Sequence, residues 1–225
     1  IVSLVNEDYD IIITEIGGTV GDIESLPYIE TVRQMKFEKG DNAIVIHLTL
    51  IPYLKATEEL KTKPTQHSVK TLLQYGVQPD ILVCRSEINL DEKIKNKIAL
   101  FCNVQNKSVI ESIDTETIYN VPILLHQQNL DIEVLNKLNV KNYKKPNLKK
   151  WNNFLSRLHS PKQEVCIAVV GKYVELKDSY KSIYESLIHA GALLDYGLEV
   201  KWIHSEKLKR QNIKSGVTEI YDNAS

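Results

Sequence analysis

The stretch from Asp10 to Ser25 constrains the fold of this chain more than any other. Its apolar run of isoleucines ends at an acid, Glu15, and opens into a turn with glycine at positions 17, 18 and 21. Such a run is typical of a buried parallel strand, and α/β proteins bind their ligands at the carboxyl ends of such strands. We therefore predict a first strand over residues 11–16 that carries Glu15 to the ligand edge of a sheet.

Strand and helix signals alternate after this turn. Short β-branched runs predict strands over residues 43–51, 81–84 and 108–113. Apolar residues at helical spacing, with capping residues before them, predict helices that start at Ser25, at Thr65 or Gln66, at Asp91 and at Ile123. A polar loop is expected over residues 55–64. This alternation favours an α/β fold with a parallel, doubly wound sheet.

The composition changes after residue 138. Residues 139–150 contain five lysines, three asparagines and one proline, which is typical of a linker. A short helix over 151–158 is followed by signals for a strand over 165–170, a helix over 178–195 and a strand over 198–203. We therefore predict domains over 1–140 and 164–225, with a linker over 141–163. Residues 205–225 carry no strand or helix signal.

Composition limits the partners and the location. The net charge of −1 gives no single-sign field over the surface, so it argues neither for nor against a nucleic-acid partner, and we expect none. No run of about 18 apolar residues is present, so we expect no membrane partner either. The cysteines, Cys84, Cys102 and Cys166, form no Cys-x-x-Cys pair, which favours reduced thiols in the cytoplasm. Because the sequence begins at Ile1, on what resembles the end of a helix, we expect a fragment.

Three acids around the glycine turn are candidate ligands. Glu15 follows a buried run, and a carboxylate at such a place suits Mg²⁺, although it could equally cap the turn or pair with a lysine. Asp22 and Glu24 have the same two interpretations, and helix capping by Asp22 is the stronger alternative.

The segment from Lys61 to Gln66 is a candidate phosphate site. Two lysines and two hydroxyls flank Pro64 just ahead of a predicted helix, so cationic donors and the positive end of the helix dipole converge. A solvated basic loop is the alternative. Lys97, seen alone, is a surface lysine beside the apolar face of its helix.

No catalytic nucleophile is assigned within the chain. Gly171 and Lys172 lack the earlier glycine of a phosphate-binding loop, because Cys166 occupies that position. Cys166 lies within an apolar run rather than at a nucleophile elbow, and the six histidines show no metal-binding spacing.

Taken together, these stretches resemble the CTP synthase family, glutamine-dependent enzymes that aminate UTP. The resemblance covers about residues 8–204 and includes thirteen consecutive positions from Glu15 to Pro27. Its further segments are residues 33–35, 47–50, 61–68, 78–82 and 98–102. Residues 171–173 and 180–182 are similar to the opening of the family's class I glutamine amidotransferase domain. The resemblance implies a P-loop NTPase-like sheet followed by the first βαβ unit of that domain.

The resemblance also implies roles for matching residues. Glu15 would be an Mg²⁺ ligand at the ATP site. UTP would be bound by Lys61, Thr62, Lys63, Pro64, Thr65, Gln66 and Lys97. The feedback inhibitor CTP would use the same seven residues together with Asp22, Ile23 and Glu24. ATP would contact Ile113, Asp114 and Thr115, where the side chains depart from the family's usual Lys-Asp-Val type.

The implied reaction begins when ATP phosphorylates O4 of UTP. Ammonia from glutamine then displaces the phosphate to give CTP, with Mg²⁺ as cofactor, GTP as allosteric activator and a homotetramer as the assembly. The phosphate loop would lie before Ile1 and the Cys/His/Glu glutaminase triad after Ser225, so the fragment alone is expected to be inactive.

Two other functions stay open at this point. One is a different ATP-dependent amidoligase, of the dethiobiotin or cobyrinate synthase type, which would give no reason for the segment from Lys61 to Gln66. The other is a non-catalytic module that senses nucleotides or supports assembly.

Overall fold

The computed structural model describes residues 9–207, apart from the side chains of Lys177 and Lys207. The chain divides into two compact units, unit 1 up to Lys144 and unit 2 from Lys145. The predicted helix end over residues 1–5 and the prediction for residues 208–225 lie outside the described part of the chain. No helix within that part is both long and apolar enough to cross a membrane.

Unit 1 is an α/β structure around a parallel sheet. Its strands are β1 (Ile46–Leu50), β2 (Tyr53–Leu54), β3 (Glu59–Leu60), β4 (Ile81–Ser86) and β5 (Val109–Ile113). Its α-helices are α1 (Leu26–Lys39), α2 (Lys63–Gln74), α3 (Glu92–Cys102), α4 (Val121–Gln127) and α5 (Leu130–Lys137). Three strands form the parallel sheet in the order β1, β4, β5. The predicted α/β class with a parallel sheet is confirmed.

Strand β4 is the centre of the core because both of its faces are covered. Leu82 and Cys84 pack in one cluster with residues of α2 and α3. Ile81 and Val83 pack on the opposite face, in a cluster that includes Leu125 of α4 together with side chains of α5. Successive strand residues point to opposite faces, so an apolar run is required where helices cover both.

Asp80, the residue just before β4, is hydrogen-bonded both to α1 and to the residue just before β1. Asp80 Oδ2 accepts hydrogen bonds from the Val45 N–H and from Lys36 Nζ, each at 2.7 Å. The Asp80 N–H in turn donates to the Val45 carbonyl at 2.8 Å. These bonds attach α1 to the sheet and fix the register of β1 against β4.

The predicted strand over residues 11–16 is wrong for the described chain. These residues form no strand, and Ile13 is 92% exposed. A parallel strand needs a neighbour for its backbone hydrogen bonds, and no strand between residues 9 and 207 pairs with this segment. The glycine turn does form, with φ angles of +85° at Gly18 and +108° at Gly21 that favour glycine.

Local signals set most helix boundaries, with three corrections. The Asp91 carboxylate accepts a hydrogen bond from the Ile94 N–H at 2.7 Å, so the predicted cap of α3 is confirmed. Helix α2 begins at Lys63 rather than Thr65 or Gln66, because a proline fits the first helical turn. The helix predicted from Ile123 to Leu138 is instead two helices, separated at Asn129, whose φ of +60° is left-handed. The predicted polar loop contains the β2–β3 hairpin.

Unit 2 contains the predicted βαβ arrangement. Its elements are α6 (Lys149–His159), β6 (Gln163–Gly171), α7 (Lys181–Leu194) and β7 (Tyr196–His204), and β6 pairs with β7 in parallel. Helix α7 starts three residues later than predicted, after a 3-10 helix over Lys177–Tyr180. It approaches the following strand closely, since a Cβ at Gly191 would lie 2.8 Å from the Tyr196 carbonyl oxygen.

Glu133 is a buried acid on α5 that is neutralised by its neighbours. It is 5% exposed, and its carboxylate accepts a hydrogen bond from Ser108 Oγ at 2.7 Å. Lys107 Nζ lies 3.2 Å and Lys137 Nζ 3.7 Å from its oxygens. Burial alone would raise the pKa of Glu133, but these donors outweigh burial and lower the pKa below its ordinary value of 4.5.

This pKa shift predicts a pH dependence of stability. Because the folded pKa of Glu133 is lower than the unfolded one, its contribution is present above about pH 4.5 and is lost as the pH falls through the folded value. We expect Glu133→Gln to lower the free energy of unfolding by about 1–3 kcal/mol at pH 7. The deficit should shrink toward pH 3 in urea unfolding curves. Glu38→Gln, at an exposed site on α1, is the control, and an equal deficit at both pH values would contradict the assignment.

Candidate functional site

The carboxyl edge of the sheet in unit 1 gathers most of the candidate residues. Three connections leave this edge: the β2–β3 hairpin and α2 after β1, the turn before α3 after β4, and residues 114–120 after β5. The segment from Lys61 to Gln66 lies in the first of them, and Ile113 to Thr115 begin the last. Parallel α/β proteins bind ligands at this edge.

Two threonines of the segment from Lys61 to Gln66 are buried and anchor it. Thr65 is fully buried, accepts a hydrogen bond from Thr49 Oγ1 at 2.8 Å and donates to the Leu50 carbonyl at 3.1 Å. Thr62 is 6% exposed, and its hydroxyl accepts from Gln66 Nε2 at 3.1 Å. The Thr65 hydroxyl holds the first turn of α2 against the end of β1, and the Thr62 hydroxyl is hydrogen-bonded within that turn. Lys63 is exposed and Lys61 is half-exposed.

A second polar contact fixes α2 one turn further along. His47 of β1 is buried, and its Nε2 lies 2.9 Å from Ser68 Oγ. Burial lowers the pKa of His47, so the ring is neutral at pH 7. The helix that begins at Lys63 is therefore bound to β1 at two points, and its N-terminal N–H groups are held in place at the edge.

One candidate lysine pairs directly with a carboxylate, and a second acts on that carboxylate through its charge. Lys61 Nζ donates a hydrogen bond to Glu59 Oε2, in an ion pair whose side chains are 40% and 57% exposed. The hydrogen bond from Lys61 and the charges of Lys61 and Lys97 lower the pKa of Glu59. Lys97, on α3 and 36 positions from Lys61 in sequence, therefore lies within electrostatic range of the same carboxylate. Lys61 and Lys97, whose charges both act on Glu59, form the lysine group of this edge.

The acidic turn has a different local structure from the one expected. Asp22 precedes a 3-10 helix over Ile23–Ser25, but its side chain does not cap that helix, so the capping alternative is wrong. Its Oδ2 instead accepts the Thr19 N–H at 2.9 Å, and Ile23 is 86% exposed. A Cβ at Gly18 would lie 3.5 Å from this oxygen and 3.9 Å from Glu24 Oε1. Two carboxylates therefore converge on the glycine turn.

This acidic turn lies beside the far part of α2. A Cβ at Gly21 would be 3.7 Å from Thr71 Cγ2. Thr71 is eight residues after Lys63, which corresponds to roughly 12 Å along a helix axis. No hydrogen bond or ion pair among residues 9–207 joins Asp22, Ile23 or Glu24 to the lysine group. One copy of the chain thus presents the two parts of the expected CTP site at separate places.

The residues at the end of β5 are engaged with the neighbouring strand. The Asp114 N–H donates to the Ser86 carbonyl at 3.0 Å, and Asp114 Oδ1 accepts from Arg85 Nε at 3.0 Å. Ile113 is half-buried as the last residue of β5, and Thr115 Oγ1 donates to the Thr117 carbonyl at 2.8 Å.

Glu15 is the candidate metal ligand, and its chemistry fits Mg²⁺ as a single protein ligand. Its side chain is exposed, and residues 9–207 contain no group of three or more acids, histidines or cysteines that could hold a metal by themselves. Magnesium sites often use one or two carboxylates and complete their octahedral shell with phosphate oxygens and water. The donor set suits a metal that arrives with a nucleotide.

Two cysteines are unsuited to nucleophilic catalysis. Cys84 and Cys102 are both fully buried. Burial raises the pKa of Cys84 to about 12 and that of Cys102 to about 11, so both stay protonated at pH 7.

Fold and site together define a class of protein. A parallel α/β sheet whose carboxyl edge holds a helix N-terminus and a group of lysines is suited to binding a polyphosphate. Residues 1–140 match a family model described as CTP synthase N-terminus.

Relatives from distant organisms agree with this match. The chain is 58% identical over 216 residues, 96% of its length, to a CTP synthase of Christiangramia forsetii, of which it covers 40%. It is 59% identical over 208 residues, 92% of its length, to a CTP synthase of Flavobacterium johnsoniae, of which it covers 39%. A CTP synthase of Methanocaldococcus jannaschii is 53% identical over 209 residues, 92% of this chain and 38% of the relative. The chain belongs to the CTP synthase family and spans about 40% of the length of these relatives.

Sequence reasoning missed two residues that organise this site. Glu59 lies within the predicted polar loop, and the signal that could have found it is its spacing of two from Lys61 beside a turn. Thr49 lies within a predicted strand, and its hydroxyl gave no signal, since the role of such a hydroxyl depends on the partner to which it donates.

The hydrogen bond between the Thr49 and Thr65 hydroxyls predicts a coupled loss of stability. We expect Thr65→Val to lower the free energy of unfolding by about 1–3 kcal/mol, because it leaves the Leu50 carbonyl and the Thr49 hydroxyl without their shared partner. The double variant Thr49→Val/Thr65→Val should lower the free energy of unfolding by less than the sum of the two single variants. The reason is that each single variant already removes the same hydrogen bond. The free energies of unfolding of all three variants are measured by urea unfolding, and Thr57→Val, at an exposed position in the turn between β2 and β3, is the control. If the losses in free energy of unfolding of the two single variants add up in the double variant, a direct hydrogen bond between Thr49 and Thr65 is contradicted.

Proposed function

We propose that the chain is part of a CTP synthase and that the longer protein aminates UTP to CTP with ATP and ammonia from glutamine. The observation that carries the proposal is the lysine group at the carboxyl edge, together with membership of the family. Because the chain spans about 40% of its relatives, the activity is proposed for the whole protein and not for these residues alone.

In this proposal the segment from Lys61 to Gln66 and Lys97 bind UTP. Lys61, Lys63 and Lys97 neutralise the triphosphate, and the first turn of α2 adds the positive end of its dipole. Thr62 and Thr65 act mainly by holding that turn, since their hydroxyls have protein partners. Pro64 shapes the first turn of α2, and the Gln66 side chain is held near that turn by its hydrogen bond to the Thr62 hydroxyl.

Glu15 is proposed to lie at the ATP site, with Ile113, Asp114 and Thr115 near the adenine. When bound, Mg²⁺ would neutralise charge that shifts onto the transferring phosphoryl oxygens. The contribution of Glu15 is one carboxylate oxygen for that metal. The Asp114 N–H already donates to Ser86, so contacts with adenine would use other atoms at the end of β5.

The feedback site for CTP is proposed to form between copies of the chain. Asp22, Ile23 and Glu24 lie beside the third turn of α2, roughly 12 Å from its start, and Ile23 is 86% exposed. A second copy that brings its lysine group to this turn would complete a site for sugar, base and triphosphate. This supports a homotetramer with shared nucleotide sites as the proposed assembly.

Unit 2 is proposed to be the start of a class I glutamine amidotransferase domain, with domains over 1–140 and 164–225 and a linker over 141–163. Its βαβ arrangement supports this assignment. The glutaminase triad and the GTP effect would then belong to parts of the longer protein beyond this chain. The proposed location is the cytoplasm.

Two other functions are less well supported. A dethiobiotin or cobyrinate synthase would use the same kind of sheet but gives no role to the lysine group at Glu59, Lys61 and Lys97. A non-catalytic nucleotide sensor would keep that group and lack turnover. The first experiment below separates the three.

The decisive measurement is formation of CTP by the full-length protein from UTP, ATP and ammonium at neutral pH. We expect radiolabelled CTP from the full-length protein and none from the 225-residue chain assayed beside it. Binding of UTP without any product would favour the sensor, and no binding of UTP would favour another amidoligase.

The role of Lys61 predicts a specific loss of UTP affinity. We expect Lys61→Ala in the full-length protein to weaken UTP binding by roughly 1.5–3 kcal/mol, the usual value for a hydrogen bond to a charged group. Steady-state kinetics should show a higher KM for UTP with little change in the KM for ATP. Lys70→Ala, which removes an exposed lysine later on α2, is the matched control. An unchanged KM for UTP in Lys61→Ala would remove Lys61 from the site.

A further inference from the structure

Glu59 is an acidic residue that lies beside the lysines that are proposed to bind phosphate. Glu59 Oε2 accepts a hydrogen bond from Lys61 Nζ, and Glu59 is also within electrostatic range of Lys97. The two lysines come from different elements, α3 and the connection before α2. Their charges nevertheless converge on one exposed carboxylate, at the edge of the sheet where a ligand would bind.

The backbone holds Glu59 at this place. Glu59 pairs with Leu54 in the β2–β3 hairpin, and Glu58 completes the turn with a left-handed φ of +50°. The Lys61 N–H donates to the Pro52 carbonyl at 2.9 Å, which fixes the chain on the far side of β3. The position of the acid is thus set by strand pairing, whereas its exposed side chain can turn toward solvent.

We propose that Glu59 is a positioning residue that occupies, in the ligand-free protein, the place at Lys61 that a phosphate of the nucleotide takes on binding. The carboxylate supplies Lys61 with an anionic partner until the ligand arrives, and the triphosphate then displaces it. This inference rests on the proposed function, since it assigns a competitor to the proposed UTP site. Its effect is to weaken the binding of UTP and CTP.

The magnitude follows from the exposure of the pair. An exposed ion pair contributes little, so the competition should weaken binding by about two- to fivefold rather than abolish it. A triphosphate carries several negative charges and can engage three lysines and a helix N-terminus, so it displaces one carboxylate readily. Were Glu59 to remain in place, it would repel the incoming phosphates.

The ionisation of Glu59 supports a competitor that acts at neutral pH. The hydrogen bond from Lys61, the charge of Lys61 and the charge of Lys97 lower the pKa of this carboxyl, although slight burial opposes them. Glu59 is therefore ionised throughout the neutral range. Competition should disappear only in acid, when the carboxyl is protonated and no longer attracts the lysines.

The test uses Glu59→Gln in the full-length protein, with ammonia as the nitrogen source. We expect the KM for UTP to fall about two- to fivefold, while the KM for ATP and the kcat stay unchanged. The inhibition constant for CTP should fall by the same factor, because UTP and CTP share the triphosphate contacts in the proposed function. A residue needed only for structure would instead raise the KM when substituted.

Two further variants separate competition from net charge. Glu58→Gln removes the same charge from the same turn, and Glu58 makes no ion pair within residues 9–207, so its KM for UTP should stay at the wild-type value. Glu59→Asp keeps the charge, so its KM for UTP should be closer to the wild-type value than the KM of Glu59→Gln. A KM for UTP that rises or stays constant in Glu59→Gln, or that falls equally in Glu58→Gln, overturns the proposal.

Binding of inorganic tripolyphosphate, measured by titration calorimetry, distinguishes this inference from the proposed function. Tighter tripolyphosphate binding by Glu59→Gln than by the wild type supports the competitor even if the full-length protein forms no CTP. If the full-length protein forms CTP but neither UTP nor tripolyphosphate binds more tightly to Glu59→Gln, the function stands and the competitor is refuted. Absence of tripolyphosphate binding by both proteins also refutes it.

Discussion

The hydrogen bond between the Thr49 and Thr65 hydroxyls is the contact on which the arrangement of the candidate site depends. It is partly buried and joins the end of β1 to the first turn of α2. Thr65, at one end of the bond, is fully buried, and a polar group left without a partner there is costly. With this turn fixed, the N–H groups of α2 and the side chains around Lys61 are held at the carboxyl edge. The side chains that would meet a ligand, such as Lys61, are thus partly exposed, whereas Thr65, which holds their turn in place, is buried.

Exposure also determines the electrostatic character of the site. The ion pair of Glu59 and Lys61 is open to water, where single charge pairs stabilise a protein only weakly. A ligand with several charges gains from all the lysines at once, so a group of weak contacts can still favour a triphosphate. Buried charges behave differently, as Glu133 shows, because each must be matched by fixed donors such as Ser108 and Lys107.

Sequence reasoning was reliable where the signal is local. Asp91 caps α3 because its carboxylate meets an N–H three residues later, and the start and end of α1 follow from Pro27 and Gly40 in the same way. It was wrong where an element depends on a distant partner. The isoleucine run over 11–16 is typical of a buried strand, but no strand within residues 9–207 pairs with it, so it forms no strand and Ile13 is exposed.

The sequence by itself determined the family, the parallel α/β class and the residue types of the site, because these are carried by runs of consecutive residues and by periodicity. Only the tertiary structure decided which of those residues meet. It paired Lys61 with Glu59 and set Lys97 within electrostatic range of that acid. It also buried Thr62 and Thr65 and set Asp22 to Glu24 beside a later turn of α2. The physical reason is that contacts between distant segments follow from strand order and helix packing, and no local pattern encodes either.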